Sequence, residues 1–132
     1  MKYLDELKNL NLPVGKFAIF GSGPMAVRGM RESHDLDVIV KKDVWEDLLE
    51  KYPECLQKNP VCLKIGNAEV YNSWINLSVD IDELIDTAET IENFPFVKLE
   101  YVIEWKKKFG REKDIKDLEL IEKYFKNYEK SD

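Results

Sequence analysis

A chain of 132 residues, 44% apolar and 35% charged, predicts one globular domain with a substantial core beneath a heavily charged surface. A formal net charge of −6 speaks against a main role in gripping duplex DNA, which asks for a basic face. No apolar run approaches the roughly 18 residues that cross a bilayer, and Met1 to Leu10 lacks the apolar centre of a signal peptide, so the cytoplasm is the expected location. Cys55 and Cys62 have no third or fourth cysteine to complete a zinc site, and in a reducing cytosol they read as small core residues rather than a disulfide.

In chain order, Leu4, Leu7 and Leu10 recur at helical spacing and predict a short amphipathic helix, ended by Pro13 and Gly15. Phe17 to Phe20 is an apolar run of strand type. Gly21-Ser22-Gly23 follows, and glycine lets the backbone turn tightly and come close to a ligand. Pro24 suits the first position of a helix, and Met25 to Glu32 has the length for about two turns. Asp35 to Val40 resumes strand character. Side chains alternate along a strand, so Asp35 and Asp37 project together while Leu36 and Val38 face the core. Carboxylates that close repel one another unless a cation neutralises them. Magnesium does so with oxygen ligands, commonly one or two carboxylates plus substrate phosphates. The Gly21-Ser22 turn opens a helix, whose N–H groups attract phosphate. Together these features predict a site for a nucleoside triphosphate.

Further on, Asp43 is the expected cap of a helix over Val44 to Lys51, with Glu46 completing a capping box and Trp45, Leu48 and Leu49 on its buried face. Pro53 stops it. Pro60 predicts a loop before a strand Val61 to Ile65, and Gly66-Asn67 a hairpin turn into a partner strand Ala68 to Trp74. Strict alternation there puts Glu69, Tyr71 and Ser73 on one face and Ala68, Val70, Asn72 and Trp74 on the other. Asp80 to Thr90 reads as a helix. Its Asp80-Ile81-Asp82 repeats the acid-hydrophobic-acid spelling but lacks a Gly-Ser turn upstream, and reads as a cap. Phe94 to Val97 is a short extended piece, Leu99 to Phe109 a helix closed by Gly110 in the left-handed region. Asp114 is expected to cap a last helix, Ile115 to Tyr128, with Ile115, Leu118, Ile121 and Phe125 as its apolar stripe. The tail Lys130 to Asp132 is expected to fray. The whole reads as a single domain, 1–132, with motif and sheet in 17–74 and a helical part in 80–128.

Gly21-Ser22, twelve further residues, then Asp35-Leu36-Asp37-Val38 resembles the signature of the polymerase-beta-like nucleotidyltransferases, especially the small "minimal" members of bacteria and archaea. A weaker echo, Leu99-Glu100, Trp105-Lys106 and Gly110-Arg111-Glu112-Lys113-Asp114, looks like the C-terminal segment of uncharacterised members. The resemblance implies an α/β fold, a mixed twisted sheet of four or five strands flanked by helices. It implies transfer of a nucleoside monophosphate from a triphosphate such as ATP to an acceptor hydroxyl on RNA, protein or a small molecule. One or two Mg2+ ions would sit on Asp35 and Asp37, with Glu69 as the third carboxylate of a two-metal clamp; a solvated edge-strand residue is the competing reading of Glu69. Gly21 and Ser22 would position the β,γ-phosphates, and Arg111 and Lys113 would meet the nucleotide's charge, with a solvated basic loop, Lys113 near Asp117, as the competing reading; Arg31 on the short helix is placed to reach phosphates as well. For Arg31 a surface ion pair, for instance with Asp35, is the alternative, and His34 reads as a solvent-facing loop residue. Lys106-Lys107-Lys108 with Arg111 and Lys113 make a local basic cluster compatible with one RNA end.

Two other readings compete. Small members of the family often occur in toxin–antitoxin pairs, so the fold could serve as a non-catalytic nucleotide-binding or antitoxin-type module with a toxin as partner. Gly21-Ser22-Gly23-Pro24-Met25-Ala26 also spells the dinucleotide fingerprint G-x-G-x-x-A, with Asp43 near the spacing of the ribose acid.

Overall fold

Strands that are apolar on both sides belong at the middle of a covered sheet, and the first two strands are of that kind. A computed structural model describes residues 1–130, with side chains as far as 128. Strand β1 (Phe17–Ile19) pairs antiparallel with β2 (Leu36–Val40), and all residues of both except Asp37 are buried. Around them lie α1 (Leu4–Asn9), α2 (Gly23–Ala26), α3 (Lys42–Lys51), β3 (Leu56–Gln57), β4 (Cys62–Ile65), β5 (Ala68–Tyr71), α4 (Ile81–Asp86), β6 (Glu89–Ile91), β7 (Phe94–Phe96), α5 (Leu99–Phe109) and α6 (Glu112–Lys130). The strand order is β3-β4-β5-β2-β1-β7-β6. The pairings β2–β5 and β1–β7 are parallel and the others antiparallel.

The mixed α/β class agrees with expectation, but the sheet has seven strands where four or five were expected. The extra ones are short edge strands. β3 has two residues, and β6 takes the end of what the sequence reads as one helix, Asp80 to Thr90. That helix ends at Asp86 because Glu92 and Asn93 both take positive φ, 52° and 71°, and fold β6 back onto β7 in a two-residue hairpin.

Helices cover both faces of the sheet. On one, Leu7 of α1 and Val44 and Leu48 of α3 pack on Phe17, Ile19, Leu36 and Val38. On the other, Met25, Leu84, Val102 and Ile121 from α2, α4, α5 and α6 pack on Ala18, Phe20 and Ile39. Each such fully buried aliphatic or aromatic side chain is worth about 1.5–3 kcal/mol. Asp37 follows the alternation, so it opens onto this second face.

Several local expectations are corrected. The helix after the glycine turn is a single turn, Gly23–Ala26, because Gly29 at φ 76° reverses the chain and Met30 N–H closes back on the Met25 carbonyl. Asp43 does not cap α3; Lys41 holds that position and Asp43 pairs with Lys16. Asp80 does cap α4, accepting the Glu83 N–H at 2.9 Å. α5 ends as expected on Gly110, φ 61°. The last helix starts at Glu112, and its buried positions are Asp114, Asp117 and Ile121, while Ile115 and Phe125 are exposed. Lys130 ends that helix, and residues 131–132 of the expected fraying tail lie outside the described residues.

Candidate functional site

The site grows from the β2–β5 register. Asp37 stands directly opposite Glu69, and Ile39 opposite Tyr71, on parallel strands. On the far side of β5, Lys64 of β4 stands opposite Glu69. Residues opposite one another point to the same face, so Asp37, Glu69 and Lys64 form a row. Tyr71 donates its hydroxyl to Glu69 Oε2 at 3.0 Å, and Lys64 Nζ lies 3.6 Å from Glu69 Oε1. Glu69 is therefore a held carboxylate, half-buried in the row.

The glycine turn closes on this row from β1. Phe20 N–H donates to the Asp37 carbonyl at 2.9 Å, and Gly21 follows at φ 59°. A methyl added at Gly21 would overlap the Asp37 carboxylate. Both the positive φ and the contact require glycine here. Gly21→Ala is expected to cost about 1–3 kcal/mol in thermal or urea unfolding, from strain and displacement of Asp37; an unchanged midpoint would refute the tight approach.

Burial, the neighbouring Glu69 with its hydrogen bond, and the Asp35 charge together push Asp37 from the ordinary 3.8 up to about 7, with Lys64 opposing. A carboxyl that holds its proton more tightly when folded stabilises the fold below its unfolded pKa, and that contribution is lost as pH rises from about 3.8 through about 7. In metal-free buffer the melting temperature of the wild type should therefore fall across this window more steeply than that of Asp37→Asn, as read by circular dichroism at pH 4 to 8; parallel curves would refute it.

The remaining expected residues are distributed unevenly. Asp35 is exposed and lies one residue before β2, so only its charge is felt at Asp37. Among the described residues no three His, Cys, Asp or Glu side chains are gathered to hold an ion together. Ser22 Oγ lies 2.8 Å from Ser33 Oγ, whose hydroxyl donates to the Asp35 carbonyl at 2.6 Å; this ties the glycine turn to the approach to β2. Ser22 occupies the cap position of α2 without a side-chain cap bond.

Arg31 is not aimed at the carboxylate row or at Asp35. Its guanidinium grips both oxygens of Asp117 on α6, at 2.9 and 3.0 Å. Lys106 leaves the expected basic cluster as well, since it is buried with Nζ 2.8 Å from Asp117 and 3.8 Å from Asp114. Arg111 and Lys113 do reach the site. Both line, with Asp37, a cleft of about 540 Å³ whose wall includes Tyr71, Trp74 and Trp105. Arg111 is steadied there by Asp114, its Nε donating at 2.7 Å. His34 is exposed, as expected. Cys62 is buried and Cys55 half-buried, both free thiols.

Strict alternation misassigned Trp74. β5 ends at Tyr71, Asn72 turns to donate to the Val40 carbonyl at 2.9 Å, and Trp74 swings onto the Asp37 face, 4.6 Å from the Phe20 ring. Lys64 and Tyr71 were not singled out from sequence. The Gly66-Asn67 hairpin carried the signal, because a two-residue loop sets Ile65 opposite Ala68 and hence Lys64 opposite Glu69.

The β1–α2–β2 unit also bears on the dinucleotide reading. That fingerprint needs parallel strands joined by a crossover helix, whereas β1 and β2 are antiparallel and Asp43 is engaged by Lys16.

Compared with protein-family models, curated proteins and solved structures, the chain finds no match.

Proposed function

We propose that the chain is a metal-dependent nucleotidyltransferase that moves a nucleoside monophosphate from a triphosphate to an acceptor hydroxyl. The observation that carries this reading is the register of Asp37 against Glu69 beside a glycine turn, with Asp37 lining the same cleft as Arg111 and Lys113.

The donor set fits a hard cation. Asp37 and Glu69 supply oxygens only, burial and mutual repulsion leave Asp37 short of positive charge, and magnesium is ordinarily satisfied by one or two carboxylates plus phosphate. Asp37 and Glu69 would hold it, with Asp35 alongside. Bound there, magnesium would neutralise the carboxylates and the triphosphate and make the acceptor hydroxyl more acidic. The chain's own groups do the rest. Arg111 and Lys113 attract the polyphosphate to the cleft, while Gly21, buried against the Asp37 carboxylate and outside the cleft lining, sets the position of Asp37. Glu69, steadied by Tyr71, orients the acceptor and takes its proton. The acceptor oxygen then forms a bond to the α-phosphorus as the bond to the leaving pyrophosphate breaks.

A second reading is a nucleotide-binding module without transfer, favoured by the position of Asp35 outside the strand and by the lack of three converging acids among the described residues. One experiment separates the two. The protein is incubated with magnesium, each of the four triphosphates labelled on the α-phosphate, and cellular RNA or protein. Label on an acceptor with release of pyrophosphate supports the transferase; binding without either supports the module; no magnesium-dependent binding refutes both.

A further inference from the structure

The nucleotide reading accounts for the charged ends of the cleft but not for its wall. Trp74 stands at 76° to Tyr71 and at 73° to Trp105, with ring centroids 5.1 Å apart in both pairs. Trp105 in turn meets Phe109 at 87° and 6.0 Å. Successive rings at right angles make a corner rather than a flat stack, and all of these side chains are half-buried. The cleft's rim adds Val61 and Ile75, which are 52% and 66% exposed. Exposed apolar side chains gathered at the rim of a cleft mark a binding groove, and aromatic faces in such a groove hold a cation or stack a base.

The surrounding charge decides between those guests. The Arg111 guanidinium already lies over the Phe109 ring, 4.3 Å from its centroid, and Lys106 Nζ lies 4.7 Å from that of Trp105. Lys113 adds another cation at the same cleft. Lys106 is already paired with Asp114 and Asp117, so Arg111 and Lys113 are left to meet an anionic tail, Asp37 the cation that such a tail carries, and the aromatic wall a neutral ring. At about 540 Å³ the cleft lies within the range that encloses small ligands.

We infer that the corner built by Tyr71, Trp74 and Trp105 is the base-binding subsite of this protein, taking the nucleobase of a bound nucleotide by stacking. This inference rests on the nucleotide reading above but not on transfer. Stacking tolerates every base, because each has a π-face, so the site takes a nucleobase without reading its edges.

The test uses the chain's own fluorescence. Of the three tryptophans, Trp45 packs on the opposite face of the sheet and Trp74 and Trp105 in the corner. The full chain is titrated in magnesium buffer with ATP, GTP, CTP and UTP, and with inorganic tripolyphosphate as a probe that has no base. The nucleotides should quench the emission and tripolyphosphate should not, and Trp45→Phe should keep the quench. By calorimetry Trp74→Leu should weaken ATP binding about 5- to 100-fold and leave tripolyphosphate binding unchanged, while Trp74→Phe, which keeps a ring, should lose less. Quenching by tripolyphosphate equal to that by ATP would overturn the inference, as would wild-type ATP affinity in a folded Trp74→Leu protein or no nucleotide binding at all. Quenching by nucleotides without any transferred label would leave the subsite standing and remove the transferase reading alone.

Discussion

Asp37→Asn is expected to abolish magnesium-dependent transfer, by about 10²–10³-fold or more, while raising the melting temperature of the metal-free protein by roughly 5 °C above pH 7. The two effects share one cause. Asp37 is half-buried against Glu69 and within reach of the Asp35 charge, so its ionised form is disfavoured in the bare fold and valuable only when a cation is bound. Removing the charge relieves the repulsion and destroys half of the Asp37–Glu69 pair. Transfer of labelled nucleotide measures the first effect and a thermal melt with and without magnesium the second. Magnesium should also stabilise the wild type more at pH 8 than at pH 5.5, because at the lower pH it competes with a proton on Asp37. An Asp37→Asn protein that melts below the wild type in metal-free buffer at pH 8 would refute the electrostatic account.

Lys106→Met is expected to cost about 3–5 kcal/mol of folding stability. Lys106 is only 5% exposed at its side chain, and its two partners Asp114 and Asp117 are 1% and 7% exposed. Arg111 also donates to Asp114, and Arg31 to Asp117. Burial opposes the charge on Asp114, but the Arg111 guanidinium and N–H, with the Lys106 charge behind them, hold its carboxyl below the usual range. Without Lys106 two buried aspartates keep only their outer partners. The i,i+4 pair Lys126–Glu122, 67% exposed on both sides, is the control, and breaking it should cost no more than about 0.5 kcal/mol. Urea unfolding of both variants provides the comparison, and similar midpoints would show that the buried network carries no special weight.

That network also marks the limit of what the sequence reveals. Periodicity assigns helix faces by counting apolar residues, so Ile115 and Phe125 read as core and Asp114 as a cap. The fold reverses this because Lys106, one helix earlier, supplies the partner that makes buried acids tolerable. Arg31 was open to a phosphate-binding reading for the same reason, since its true partner lies 86 residues away. Several local readings survive, for Gly110 closes α5, Asp80 caps α4, and Gly66-Asn67 joins β4 to β5, whereas the cap expected of Asp43 gives way to its ion pair with Lys16. Asp37 and Glu69 belong to the legible part, because alternation fixed their faces before the strands were paired. Trp74 does not, because alternation holds only while the strand continues, and nothing in Tyr71-Asn72-Ser73 announces that Asn72 will turn to the Val40 carbonyl. β6 was hidden by Glu92, which takes a positive φ that its residue type does not favour.

The two borders of the sheet have a bearing on how copies of this chain meet. β3 offers two residues and β6 three. Another chain extending the sheet at either border would gain only one or two rungs of backbone bonding, too few to repay the ordering of a strand. The protein thus resists fibril-like stacking through the brevity of its border strands.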